Sequence, residues 1–327
     1  MSASLAEFRL MRPSTVKEAI TARVTQPNSR YVAGGTDLIV NMRRGISCPD
    51  LLVDISTIQE LAKVTTDDFG LTIGAGVTLA AIVRHGEIAS RYRALAQAAE
   101  AIAAPGHRVM GTVGGNLCLD TRCVYYNQSE WWRKANAYCL KGRGSICHVA
   151  PQGQRCHAAF VGDLAPALLV FGAEIDIKGP QGERRIPLEQ LYIEDGKAHL
   201  ALTDGELLVA VRLPSNPPPS TYAKVRQRGA IDFPLAGVAV SLSVAGPNVK
   251  LLRIALTGTN SRPFLLAGTE GLSGRPVDEK LLQEIDRLVQ KQVRPMRTTI
   301  ASANYRRIAG AALARRLVEK LFSERTA

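Results

Sequence analysis

The sequence predicts an α+β protein in two packed parts, and three observations predict it. Through the first two thirds, short strand-like runs alternate with stretches whose apolar residues recur at helical spacing. Three consecutive prolines in SNPPPST, Ser215 to Thr221, then form a linker that continues neither a central strand nor a helix. Beyond it, two alternating runs come first and two helical ones last. At 327 residues the chain is long for one core, so residues 1–216 and 217–327 are expected as separate units.

Taken in order, a helix is expected from Ser14 to Val24 with Ser14 as its N-cap, then a strand from Arg30 to Ala33. A turn leads to a helix over Asp37 to Arg44, and Leu51 to Asp54 reads as a strand. LTIGAGVTLAAIVRHG reads as a strand and then a helix, and RYRALAQAAEAIAAPG as an alanine-rich helix. After a cysteine-bearing stretch, VGDLAPALLVFGAEIDIKGPQGERRIPLEQLY reads as helix, strand, Gly-Pro turn and strand. Past the linker, LAGVAVSLSVAG and VKLLRIALTGT alternate as antiparallel strands. VDEKLLQEIDRLVQKQV and the stretch from Ile300 to Phe322 follow as helices.

Composition narrows the function classes. No apolar run is long enough to span a bilayer, and MSASLAEFRLMRPST lacks the layout of a secretory signal, so a cytoplasmic protein is expected. The net charge of +12 suits nucleic acid, a membrane surface or an acidic partner. A nucleic-acid reader is disfavoured, because the basic residues are spread along the chain and only 5% of residues are aromatic.

Three glycine motifs lie in the first part: AGGTDLIV at 33–40, IGAGVTL at 73–79 and GTVGGNL at 111–117. Glycine lets the backbone approach closely, so consecutive amides can converge on phosphate oxygens. Any one of them alone reads more often as a plain turn, and together they suggest an anion cradle. Asp37 would repel a phosphate, and is expected to cap its own helix or to accept from a ribose hydroxyl or a backbone N–H. None of the loops matches the G-x-G-x-x-G or G-x-x-x-x-G-K-[ST] pattern in context, which disfavours a nicotinamide Rossmann site.

Four of the six cysteines, Cys123, Cys139, Cys147 and Cys156, are spaced C-x15-C-x7-C-x8-C in a segment with neither helical nor strand alternation. In a reducing compartment such a set points to metal or redox chemistry before disulfides. An iron–sulfur cluster, a zinc ion and free thiols all stay open from the residues alone; zinc loses ground because paired C-x2-4-C knuckles are absent. Cys48 and Cys118 fall outside the set and read as small buried thiols. Trp131 and Trp132 are expected to cover the thiol site or a subunit contact. His148 and His157 adjoin the cysteines and are expected to hydrogen-bond sulfur or face solvent.

Read together, AGGTDL, IGAGVTL, GTVGGNL, DLAPALLVFGAEI at 163–175 and the late YRR at 305–307 resemble, in order and over nearly the whole chain, the FAD-binding subunits of the xanthine oxidase family of molybdenum hydroxylases. The resemblance implies a two-part FAD-binding fold of the vanillyl-alcohol oxidase and p-cresol methylhydroxylase type, followed by a smaller α+β domain. It implies that Val32, Ala33, Gly34, Gly35, Thr36, Asp37 and Leu38, with Gly111, Thr112, Val113, Gly114, Gly115 and Asn116, hold the diphosphate and ribityl regions of FAD. Ile102, Asp163, Leu208 and Lys224 match positions lining its adenine or isoalloxazine. No catalytic acid, base or nucleophile is evident here, and the resemblance puts substrate chemistry on a partner subunit.

In most of these subunits GNL runs almost directly into GDLAPAL, whereas here about forty residues intervene, roughly 119–158. That insertion resembles one class of the family, the beta subunits of 4-hydroxybenzoyl-CoA reductases, in which the four cysteines bind a [4Fe–4S] cluster. The likeness implies reduction of 4-hydroxybenzoyl-CoA to benzoyl-CoA and a molybdopterin-binding large subunit. It further implies a small subunit with two [2Fe–2S] clusters, ferredoxin as donor, and a dimer of heterotrimers. Two alternatives stand beside it: the flavin subunit of another molybdenum hydroxylase, acting on a purine, aldehyde or heterocycle, and a zinc-stabilised basic binding module.

Overall fold

The computed structural model describes residues 5–298 and 300–326. Its strands form three sheets. The first is parallel and small: β1 (Arg9–Met11), β2 (Ser29–Val32) and β3 (Leu51–Asp54) in the order β1-β3-β2. Leu51 and Val53 turn toward helix Val16–Thr25, where Val16, Ala19 and Ile20 close a compact core. That helix is capped by Thr15, one residue later than expected: Thr15 Oγ1 accepts the Glu18 amide, while Glu18 accepts from the Ser14 N–H and hydroxyl.

The second sheet is antiparallel and five-stranded. It contains β4 (Val64–Asp67), β5 (Gly70–Gly74), β6 (Glu174–Gly179), β7 (Gly182–Pro187) and β8 (Leu207–Pro214), ordered β4-β5-β8-β6-β7. β8 lies at its centre, buried on alternate residues and paired with β5 on one side and β6 on the other. Helices Leu79–Arg84, Arg93–Ala101 and Leu164–Leu169 cover it through Ile82, Leu95, Ala98, Leu164 and Leu168.

The third sheet is also antiparallel: β9 (Ser220–Val225), β10 (Ala236–Ala245), β11 (Asn248–Thr257) and β12 (Phe264–Leu265), ordered β12-β11-β10-β9. The proline linker is shorter than expected, because Ser220 and Thr221 already belong to edge strand β9. Helices Glu279–Gln292 and Ala303–Thr326 pack on this sheet through Leu281, Ile285, Val289, Ala314, Leu317 and Leu321. In the YRR segment Arg306 is buried and donates to the carbonyls of Met296 (2.6 Å), Leu235 (2.9 Å) and Gly258, pinning the last helix to the sheet. Tyr222, Ala239 and Ala255 of this sheet share a core with the second sheet's helices. Among the described residues no helix is long and apolar enough to cross a membrane.

Candidate functional site

The three glycine motifs meet. β2 ends at Val32, the chain turns through Ala33–Asp37 with Gly35 at φ +67°, and helix Leu38–Arg43 begins. A Cβ on Gly34 would overlap the Met110 carbonyl, so this turn lies against the start of the third motif with no room for a side chain. The third motif is a short helix, Val113–Leu117, whose N-cap Thr112 accepts the Gly115 amide at 3.1 Å. The second motif supports it from below: Leu79 N–H donates to Gly111 O, Val113 N–H to Val77 O and Gly114 N–H to Ala75 O, at 2.8–2.9 Å. Thr36 and Gly115 remain exposed at the tips of the two turns, while Gly111, Thr112, Val113, Gly114 and Asn116 are buried beneath.

Of the roles expected of Asp37, the structure overturns the helix cap. Asp37 occupies the N-cap position of helix Leu38–Arg43 without a capping hydrogen bond. Its carboxylate instead pairs with the Arg122 guanidinium and accepts from Asn41 Nδ2 at 3.1 Å. Nothing in the local sequence announces a partner 85 residues away.

Asp163 and Lys224 come together and form a buried pair. Lys224 Nζ stands 3.0 Å from Asp163 Oδ1, and the Tyr222 hydroxyl donates to the same carboxylate at 2.5 Å. Burial pushes the Asp163 carboxyl up, against the pull of Lys224 and Tyr222; burial lowers Lys224, offset by Asp163. Leu164 N–H donates to Asn116 Oδ1 at 3.0 Å, which ties this pair to the GNL helix. Leu208 is buried on β8, and the next carbonyl, Val209 O, accepts the Ala75 amide at 2.9 Å. Ile102 lies in another loop, tied by Arg226 to Ala101 O and by Ile231 N–H to Ala103 O, both at 3.0 Å. Tyr222 is a site residue the sequence reading missed, since one tyrosine in an edge strand carries no pattern.

The cysteine segment leaves and re-enters the fold through a single rung. Arg122 N–H donates to Ala159 O at 2.7 Å and Ala159 N–H to Arg122 O at 2.8 Å. Contrary to expectation, part of it is helical: Glu130–Ala135, with Ser129 Oγ accepting the Trp132 amide. Arg133 of that helix is buried and donates to the carbonyls of Gln128 (2.6 Å), Gly45 (2.9 Å) and Arg44 (3.3 Å), fastening the excursion to the chain after helix Leu38–Arg43.

Within it, Cys123, Cys139, Cys147 and Cys156 line one small cavity together with Tyr125, Tyr126, Leu140, Lys141, His148 and Val149. Burial pushes the Cys123 and Cys156 thiols up to about 11, and neighbouring cysteines add to the rise in each. Uncharged thiols are the stable form there until a cation takes the place of their protons. Among the described residues no three His, Cys, Asp or Glu side chains are gathered as one metal ion requires. Lys141 is buried beside the cavity, 2.5 Å from Asp120 and 4.7 Å above the Tyr126 ring.

Two expectations are corrected here, for Cys48 and for His148. Cys48 is exposed, because it lies in the loop before β3; Cys118 is only partly accessible, and burial pushes its thiol up to about 12. Trp132 packs against Tyr125, which lines the cavity, as expected, and Trp131 is 77% exposed. His148 lines the cavity, and its Nε2 is engaged with Tyr138 O at 2.6 Å instead of a sulfur.

Two abutting glycine turns, carried on a mixed α and β scaffold, are the kind of backbone that can accept phosphate oxygens. Comparison with known proteins names the family. Residues 6–216 match the family model of the FAD-binding domain in molybdopterin dehydrogenase, and residues 220–321 match the CO dehydrogenase flavoprotein C-terminal domain. The chain is 32% identical over 276 residues to the FAD-binding subunit PaoB of aldehyde oxidoreductase from Escherichia coli, covering 80% of this chain and 85% of that one. It is 27% identical to the carbon monoxide dehydrogenase medium chain of Afipia carboxidovorans over 96% of both chains. The crystal structure of Cu,Mo-CO dehydrogenase superposes with a TM-score of 0.80 over 98% of this chain and 99% of that one, at 24% identity, and so shares its fold. The chain belongs to the FAD-binding subunits of the xanthine-oxidase-type molybdenum hydroxylases.

Proposed function

We propose that this chain is the electron-transfer flavoprotein subunit of a molybdenum hydroxylase complex. The observation that carries the reading is the contact between the turns at Ala33–Asp37 and Met110–Gly115, which brings two glycine-rich backbones together. In this reading Val32 to Leu38 and Gly111 to Asn116 hold the diphosphate and ribityl chain of FAD, and Ile102, Asp163, Leu208 and Lys224 lie about its rings. FAD, when bound, exchanges one or two electrons and so links a chain of one-electron clusters to a two-electron reaction. Substrate chemistry belongs to a molybdopterin-binding large subunit, reached through a small subunit with two [2Fe–2S] clusters. The two-lobed FAD fold of the vanillyl-alcohol oxidase type and the division near residue 216 are part of the same proposal. The relatives' names, an aldehyde oxidoreductase and a carbon monoxide dehydrogenase, favour an oxidising complex.

A second reading is favoured by one feature, the cysteine excursion. Four cysteines lining one cavity supply the number and kind of donors that a [4Fe–4S] cluster takes. A complex carrying it would accept electrons from an acidic ferredoxin at this basic subunit. It would reduce 4-hydroxybenzoyl-CoA to benzoyl-CoA, with two electrons and two protons consumed and water released. Anaerobic purification of the complex with its partner chains, followed by flavin, iron and sulfide analysis, tests both. One FAD per chain is expected, with four irons beyond those of the small subunit for the second reading. A colourless chain holding zinc would overturn both. Cys139→Ser is expected to remove the extra iron and leave FAD bound; loss of both would make the excursion part of the folding core. Turnover of aldehyde, purine or 4-hydroxybenzoyl-CoA by the same preparation then separates the substrate classes.

A further inference from the structure

Arg122 is assigned no role by the flavin or the cysteine reading, yet it stands between them. Its backbone forms the rung that closes the excursion, one residue before Cys123. Its side chain crosses to the first glycine turn and pairs with Asp37, while the guanidinium lies 5.0 Å over the Phe233 ring. Nη1 is buried and has no hydrogen-bond partner among the described residues; Asn41 Oδ1, on the neighbouring turn of helix, is likewise unpaired. Two physical needs meet at this place. A carboxylate beside a diphosphate turn raises the cost of bringing in a dianion, and a buried guanidinium N–H without an acceptor is costly in its own right. One arrangement relieves both.

We infer that Arg122 is a positioning residue for the flavin's diphosphate: it neutralises Asp37 and offers its free Nη1–H to the incoming phosphate, so that the cysteine excursion and the FAD site are coupled through one side chain. The inference rests on the flavin reading. It also implies reciprocity, because whatever orders the excursion around Arg122 strengthens FAD binding by the same factor by which FAD strengthens it.

The test is a titration of the flavin-stripped full chain with FAD, followed by quenching of flavin fluorescence, and with ADP as a competing probe that has the diphosphate but no isoalloxazine. The unaltered chain is expected to bind both. Arg122→Ala is expected to weaken FAD and ADP alike by about 10- to 100-fold, the range of a charge-assisted hydrogen bond. Arg122→Lys, which keeps the charge without the fork, is expected to fall between. Adding Asp37→Asn to Arg122→Ala is expected to recover the part of the loss that comes from the uncompensated carboxylate and to leave the part that comes from the missing Nη1–H donor. Equal FAD affinity in Arg122→Ala, an effect on FAD without one on ADP, or failure of the double variant to recover overturns the inference. Should Arg122→Ala not fold, Asp37→Asn alone decides: unchanged or tighter FAD binding supports the inference, and a tenfold loss overturns it. If the unaltered chain takes up no FAD, the flavin reading itself fails; if it does and the variants match it, only this inference fails.

Discussion

The glycine cradle and the cysteine excursion sit side by side and are held in opposite ways. The cradle is built from main chain: amides of Leu79, Val113 and Gly114 reach carbonyls of neighbouring segments, and the Gly34 turn leaves no space for even a methyl group. Beyond its backbone rung and the Gly196 N–H to Cys156 O bond, the excursion is held by side chains, with Arg133 gripping three carbonyls, Arg122 pairing with Asp37 and Lys141 with Asp120. Backbone contacts fix geometry before any ligand arrives. Side-chain anchors fix where a loop sits and leave its interior to be completed by what it binds. The difference teaches that main-chain contacts make a rigid turn, while side-chain anchors make a secured loop.

The largest effect is expected where the backbone is tightest. Gly34→Ala drives a methyl into the Met110 carbonyl and is expected to cost at least about 3 kcal/mol, with loss of FAD retention. Gly106→Ala, where a Cβ meets nothing within 4 Å in the short helix Pro105–Arg108, is expected to be neutral or to stabilise by up to about 1 kcal/mol. Chemical denaturation of the two variants checks the contrast, and equal effects would break it.

Arg133→Met tests the excursion in the same currency. It leaves the carbonyls of Arg44, Gly45 and Gln128 without their donor and is expected to cost about 2 to 3 kcal/mol. Limited proteolysis should then cut within the excursion first, and cutting in the glycine turns at the same rate would contradict the contrast.

A smaller effect is expected from pH at the seam between the regions. His199 is buried, with Nε2 2.9 Å from Leu119 O, and burial, aided by the Lys141 ammonium, pushes it from 6.5 down to about 4. Its folded form binds fewer protons than the unfolded chain below pH 6.5, so the stability it contributes is complete above that pH and lost as pH falls toward 4. Between pH 7.5 and 5 the loss is expected to be about 2 kcal/mol. In His199→Asn that part of the pH dependence should vanish; if the two denaturation profiles stay parallel, the histidine is not held neutral.

The two regions also differed in how legible they were. The glycine motifs predicted their own meeting place, because a glycine pair after a strand encodes a backbone conformation that survives whatever surrounds it. Leu51–Asp54 was legible for a similar reason: a short apolar run flanked by turns fits the middle of a parallel sheet. β8 went unread although it is the centre of the larger sheet, since LLVAVRLP shows its rank only once β5 and β6 are paired to it. The six-residue helix Glu130–Ala135 is too short to show a period, and Cys48 was judged by residue type when its loop decided its exposure. Asp37, Arg122 and Tyr222 found their partners across 59 to 85 residues of chain, a distance over which local sequence is silent.

The single rung at Arg122 and Ala159 has a consequence for lineage. A segment that departs and returns through the same pair of hydrogen bonds does not set, by its own length, the register of the strands outside it. Its length is free to change by gain or loss without shifting the register of any sheet, so long as the contacts Arg133 makes with Arg44 and Gly45 are kept or replaced.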